Sequence, residues 1–272
     1  MNDDDFLHNF HTHTFRCKHA KGDAKEYCEH AVSHGMKTLG FSDHTAIPDD
    51  RWLNVRMAFE QLDDYVYAVD QAKQNFPQLR VLLGMECEYV AKFHSFYEDT
   101  LFDQYDFEYL VGGPHYFKNG QDEWQSPYAG PMSGSDLFYY GKSVVEMIES
   151  GLFDFIAHPD LFGVAYKEWD KNTEKCARDI FMAAAAQNVG LEINALGCRK
   201  QKRARERGKD TYPQYPWLPF WEMASDYGVK TIVNADAHRP KDLQGMTGEA
   251  MRLQDSLKLN RLLPEEIGCS QM

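Results

Sequence analysis

No uncharged apolar run in these 272 residues approaches the roughly 18 needed to cross a bilayer, so no membrane span is expected. The six cysteines, at 17, 28, 87, 176, 198 and 269, form no CxxC pair and no dense framework, which argues for reduced thiols over disulfides. Basic charge is scarce: 29 Lys and Arg stand against 42 Asp and Glu, a net charge of −13. Proteins that track a long nucleic acid carry a basic face whose counterion exchange drives binding, so no such partner is expected. Bound cations can still hold a small anionic substrate on an acidic protein. Internal repeats, low-complexity tracts and Pro/Gly/Ser-rich linkers are missing too, which makes a single domain over 1–272 the simplest organisation. The opening Met1-Asn2-Asp3-Asp4-Asp5 is acidic where a secretory signal would be basic, and the chain reads as cytoplasmic. Nothing in the sequence speaks to oligomeric state.

What is present is an ordinary globular composition, 43% apolar and 26% charged, with β-branched and aromatic runs alternating with segments of helical period. Strands are expected at Phe6 to His11, Thr38 to Ser42, Val81 to Glu88, Tyr109 to Gly113, Phe153 to Ala157, Gly190 to Asn194 and Thr231 to Ala235. Helices are expected near Asp23 to Ser33, Ala58 to Asn75, Ser135 to Glu149, Thr173 to Gln187 and Trp217 to Asp226, with a weaker one at Phe93 to Leu101. Glycine in Ser33-His34-Gly35 and Gln187-Asn188-Val189-Gly190 marks two helix ends. The least regular parts are Lys118 to Met132 and Gly197 to Pro216. This βα alternation predicts a parallel sheet with helices outside.

Seven of the eleven histidines fall in short motifs at the downstream ends of those strands: His11-Thr12-His13, His19, Asp43-His44, Pro114-His115, His158-Pro159-Asp160 and Asp236-Ala237-His238. In an extended segment residues two apart face the same way, so His11 and His13 can bind one ion together. A closed barrel would make the first and last strands neighbours and bring Asp236 to them. Glu86 ends the apolar run Val81-Leu82-Leu83-Gly84-Met85, where a carboxylate is costly unless paired or coordinating; Glu88 is in phase with it and competes for the role. Cys17, between His13 and His19, either touches a metal or is a small loop side chain. His8, His30, His34 and His94 lack the strand-end context. The one concentrated basic run, Arg199 to Arg207, is either a solvated face or a phosphate contact on the active-site side of the sheet.

The ordered set His11-Thr-His13, His19, Ser42-Asp43-His44, Gly84-Met85-Glu86, His115, His158-Pro-Asp160, Leu191-Glu192-Ile193-Asn194 and Asn234-Ala-Asp236-Ala-His238 resembles the polymerase and histidinol phosphatase (PHP) family, over about residues 6 to 240. It looks closest to the histidinol-phosphate phosphatase branch. The resemblance implies a distorted (β/α)7 TIM-like barrel with three divalent ions at the C-terminal ends of its strands. His11, His13, Glu86 and Asp236 would hold the first ion, His19, His44 and His238 the second, and Glu86, His115 and His158 the third.

Imidazole and carboxylate ligands suit zinc, manganese or iron, and paired cations lower the pKa of a shared water enough to make a nucleophile for a phosphomonoester. Arg199 is a candidate phosphate clamp, with Arg16 and Lys200 as further substrate contacts. Asp43 and Asp160 adjoin metal histidines and would either orient them or donate a proton to the leaving oxygen. After His158 the chain lacks the basic residue expected a few positions on; Lys167 is the nearest. The leading expectation is a metal-dependent phosphomonoesterase on a small phosphorylated metabolite, with L-histidinol phosphate first. The alternatives are a PHP-type phosphodiesterase or exonuclease acting on nucleotides, an amidohydrolase-type metal hydrolase, and a metal-binding module without catalysis.

Overall fold

The computed structural model of the chain describes residues 6–209 and 214–268; the acidic opening and Cys269 lie outside them. Ten strands are described: β1 (His8–Asn9), β2 (Thr38–His44), β3 (Arg80–Cys87), β4 (Tyr109–Gly112), β5 (Phe117–Lys118), β6 (Trp124–Gln125), β7 (Phe155–Ile156), β8 (Gly190–Asn194), β9 (Lys230–Asn234) and β10 (Asn260–Arg261). The helices are α1 (Ala24–Ser33), α2 (Leu62–Asn75), α3 (Gly134–Glu149), α4 (Lys171–Gln187), α5 (Ala195–Glu206), α6 (Leu218–Ala224) and α7 (Thr247–Ser256). The chain divides into two compact units, one of Met1–Val111, Asn234–Gly248 and Leu263–Met272, the other of Gly112–Val233 and Glu249–Leu262.

In the first unit β1, β2, β3 and β4 follow one another, and the pairs β1–β2 and β2–β3 are parallel. β2 is buried along its whole length and β3 at all but its first residue, as strands covered on both faces are. The β2–β3 register sets Ser42 opposite Gly84 and His44 opposite Glu86. Gly84 is required: a Cβ there would lie 2.3 Å from the ring of Tyr109, whose hydroxyl donates toward the carbonyls of Phe10 (2.9 Å) and Phe41 (3.0 Å).

The first and last expected strands do meet, through a parallel bridge between Thr12 and Ala237. Two buried asparagines tie them. Asn234 Oδ1 accepts the Phe10 N–H at 2.8 Å, and Asn9 Oδ1 accepts the Ala235 N–H at 2.7 Å. Those backbone groups bond to side chains rather than to a neighbouring strand, which is why β1 is shorter than the expected Phe6 to His11.

In the second unit β7, β8, β9 and β10 follow in order, with β7–β8 and β9–β10 parallel, while β5 and β6 form a separate antiparallel pair. The α/β class with a mostly parallel sheet is as expected. Two local expectations need correction. The basic run is not an irregular loop but α5, begun by Asn194, whose side chain accepts the Gly197 N–H at 3.0 Å. Its residues are good helix formers, but it lacks the apolar stripe by which helices are recognised. The end of α4 is made by Asn188 at φ 56°, and Gly190 already belongs to β8. α7 and β10 were not anticipated, and a helix of π type covers Phe96–Gln104 where the weaker one was expected. Among the described residues no helix is long and apolar enough to cross a membrane, and Cys17, Cys28, Cys87, Cys176 and Cys198 are free.

Candidate metal centre

The first unit gathers most of the expected ligands. The His11-Thr12-His13 segment lies between β2 and the chain after β9: the Ser42 N–H donates to the Thr12 carbonyl, and the His13 N–H to the Ala237 carbonyl. The alternation of an extended chain turns both rings one way, with centroids 5.0 Å apart. His11 Nε2 lies 3.4 Å from Glu86 Oε1 and 3.8 Å from Asp236 Oδ1; His13 Nε2 lies 3.6 Å from Glu86 Oε2 and 3.2 Å from Asp236 Oδ1. An ion bound tetrahedrally at about 2.0–2.2 Å holds its ligand atoms about 3.3–3.6 Å apart; one ligand atom each of His11, His13 and Asp236 lie within 4.8 Å of one another, and Glu86 turns one carboxylate oxygen to each histidine. Of the two glutamates in phase, Glu86 and not Glu88 faces the histidines. Glu88 instead forms a buried ion pair with Arg56.

His44 Nδ1 sits 2.8 Å from Glu86 Oε2. The ligand atoms of His13, His44 and His238 lie within 4.8 Å of one another, as do those of Cys17, His19 and His238. His19 Nδ1 rests 2.7 Å from the Cys17 carbonyl, which orients its ring. Asp236 adopts φ 47°, a left-handed conformation rare for a residue with a side chain and characteristic of functional positions.

The protonation states suit cations. Burial works to raise the Asp236 carboxyl, but the charge of His11 and hydrogen bonds from His13 and His238 hold it well below the usual carboxylate range. Burial, with the nearby Arg56 and His13, keeps His44 neutral. Burial also opposes charge on His13, yet Asp236, Asp43 and Glu86 outweigh it and push that imidazole up to about 9. Neutral imidazole and ionised carboxylate are the ligand forms, so an ion bound at His13 Nε2 would displace one of the two protons of its imidazolium.

Behind the ring, Asp43 Oδ1 lies 3.5 Å from His13 Nδ1 and accepts the His44 N–H at 2.8 Å, while Oδ2 accepts from the Thr14 N–H and hydroxyl. Fully buried and so engaged, Asp43 is placed to orient His13. Arg16 is committed elsewhere. Its Nε donates to Asp64, Nη1 to Asp23 and Thr14, and Nη2 to Asp23 and the Asp64 carbonyl, which leaves no N–H for a phosphate.

The second unit carries the rest. His115 and His158 are both buried, their rings 4.9 Å apart. The His158 N–H donates to Glu192 Oε2 (3.1 Å), and His158 itself takes φ 29°. Asp160 Oδ2 accepts from the Trp217 N–H (2.7 Å) and the Trp221 indole (3.0 Å); burial pushes its carboxyl up to about 7 against those donors. Arg199 is buried on α5. Lys200 donates to the hydroxyls of Tyr215 (2.6 Å) and Tyr128 (3.3 Å), and the Tyr215 ring lies 6.1 Å from that of His158.

Thr14, Arg56, Tyr128 and Tyr215 were not singled out in the sequence. Only Thr14, directly after His13, and Arg56, the partner of a glutamate in phase with Glu86, left any trace there. The other expected bystanders stay outside the cluster. His8 contacts Thr38 and His94 contacts Tyr89, while His30 and His34 stack on one another along the exposed side of α1.

Buried histidines and ionised carboxylates at the ends of parallel strands define a metal-binding α/β protein of the hydrolase type. The PHP domain profile matches residues 9–196, and the chain belongs to that family. It is 30% identical over 253 residues to a probable histidinol-phosphatase of Deinococcus radiodurans, covering 89% of this chain and 90% of that one. It is 24% identical over 254 residues to a probable histidinol-phosphatase of Schizosaccharomyces pombe, covering 85% and 80%. The fold is that of the histidinol phosphate phosphatase of Lactococcus lactis subsp. lactis, solved with zinc, L-histidinol and phosphate. That structure superposes with a TM-score of 0.70 at 15% identity, covering 94% of this chain and 95% of the other.

Proposed function

We propose that this metal-dependent phosphatase hydrolyses a small phosphorylated metabolite, L-histidinol phosphate first, to the free alcohol and phosphate. The observation that carries the reading is the cluster of His11, His13 and Asp236 in the first unit, with ligand atoms within 4.8 Å of one another and Glu86 facing both histidines at 3.4 and 3.6 Å. Family membership supports the reaction class, and the likeness to two probable histidinol-phosphatases supports the metabolite.

In this reading residues 1–272 act as one PHP-type domain holding three divalent ions of zinc, manganese or iron. His11, His13, Glu86 and Asp236 take the first ion and His19, His44 and His238 the second. The third follows the family pattern of Glu86, His115 and His158. Bound ions supply Lewis acidity, lower the pKa of water and neutralise phosphoryl charge. The chain's own residues do the rest. Arg199 and Lys200 bind the phosphoryl oxygens, Arg199 through a planar fork suited to two of them at once. Asp43 holds the His13 ring in register, and Asp160, with a carboxyl near neutral, is the proton donor to the leaving alkoxide.

The test is phosphate release from a panel of phosphomonoesters and phosphodiesters, with metal counted in the same preparation. About three ions per chain and preference for histidinol phosphate are expected. Turnover of a different monoester would keep the mechanism and move the substrate, whereas diester cleavage alone, or no phosphate release, would overturn the reading.

A further inference from the structure

We propose that Arg16 and Thr14 are positioning residues for the first metal ion, acting on His13 through Asp43. The inference rests on the reading that His13 is a ligand.

An imidazole ligand is only as well placed as the group behind its other nitrogen, and removing such a partner typically costs about 10–100-fold in metal affinity. His13 Nε2 faces Glu86 and Asp236, and its Nδ1 faces Asp43 at 3.5 Å, which makes Asp43 the group behind the ring. The His44 N–H holds Asp43 Oδ1 at 2.8 Å, and a hold on the second oxygen as well stops the carboxylate rocking about its last bond. Thr14 pins it twice, with its backbone N–H (3.0 Å) and its hydroxyl.

Thr14 is in turn held by Arg16. The guanidinium Nη1 lies 3.3 Å from Thr14 Oγ1 and the Arg16 N–H 3.4 Å from it. With these donors occupying the hydroxyl's acceptor side, its own hydrogen is directed to Asp43. Arg16 is only 2% exposed, and its charge is balanced by Asp23, the residue that caps α1, and by Asp64 in the first turn of α2. Arg16 therefore keys the ligand to the two helices. A buried arginine beside a phosphatase centre would ordinarily be assigned to the substrate, but here every N–H of the guanidinium already has an acceptor.

The experiment measures affinity for zinc by chelator competition, independently of phosphatase activity, in the full-length wild type and four variants. Thr14→Val removes the hydroxyl at nearly constant shape and should weaken the tightest site by about 10–100-fold, while Thr14→Ser, which keeps it, should stay within about threefold of wild type. Arg16→Met should fall in the range of Thr14→Val. If that variant does not fold, Asp64→Asn, which weakens the hold on Arg16 from an exposed position, should shift affinity in the same direction by a smaller factor. Zinc affinity in Thr14→Val equal to wild type would overturn the proposal, as would equal losses in Thr14→Val and Thr14→Ser, which mark a merely structural role. A wild type that binds zinc but releases no phosphate would overturn the function proposed above and leave this inference to stand or fall on the affinities.

Discussion

The two buried groups of histidines differ in what stands around the rings. In the first unit carboxylates do: Glu86 and Asp236 face the ring nitrogens and Asp43 lies behind one of them. In the second unit His158 keeps company with Tyr215, whose hydroxyl accepts from Lys200, on the same helix that buries Arg199. The first surrounding is carboxylate throughout, whereas the second sets Lys200 and Arg199 beside histidines whose neighbours also include the buried carboxyls of Glu192 and Asp160. A motif of histidines at strand ends therefore marks where ligands gather, and the second group differs from the first by the cations added around it.

The sharpest way to break this contrast is Glu86→Ala. The Glu86 carboxylate lies within 3.6 Å of three imidazoles, so metal content and phosphate release should fall together, by more than the roughly 100-fold that losing a supporting residue costs. Full metal content and turnover in that variant would dissolve the distinction between the units. Lys200→Met should do the opposite. Metal content stays at the wild-type level, and KM for a phosphomonoester rises by about 10–100-fold, as for a lost charge-assisted hydrogen bond. Loss of metal from it would place Lys200 on the wrong side of the comparison.

A third test separates the groups by pH. Because the carboxylates raise His13 to about 9 in the metal-free protein, a bound ion must displace its proton. Affinity at the tightest site should climb by up to about tenfold per pH unit and level off near 9; a flat profile from 6 to 9 would remove His13 from the ligand set. The smallest effect is expected for His34→Ala. His30 on α1 and His34 just beyond its end stack at 4.1 Å on the exposed surface, away from the buried cluster, so stability should stay within about 0.5 kcal/mol in urea titration and metal stoichiometry should not change.

Much of this was legible in the sequence because parallel strands buried on both faces write themselves as apolar runs, and strand ends then mark the loops that carry ligands. The choice of Glu86 over Glu88 was readable from its place after Gly84, although the reason for that glycine, the ring of Tyr109, was not. Arg16 shows where such reading stops: its carboxylate partners come from two helices, Asp64 being 48 residues away, and no local pattern announces them. α5 was hidden differently, since a helix with polar residues on nearly every side carries no apolar period. Tyr215 follows a stretch without periodicity and owes its place to tertiary packing alone.

The reciprocal grip of Asn9 and Asn234 has a consequence in time as well as in space. The two asparagines hold together segments more than 220 residues apart in sequence, and Asp236 follows two residues later. A chain emerging from the ribosome can form the β2–β3 pair early, but Asp236 cannot join His11, His13 and Glu86 until synthesis has passed residue 236. Completion of the cluster is thus a late event in the protein's maturation, and a nascent chain halted before residue 234 would have His11, His13 and Glu86 but not Asp236 or His238.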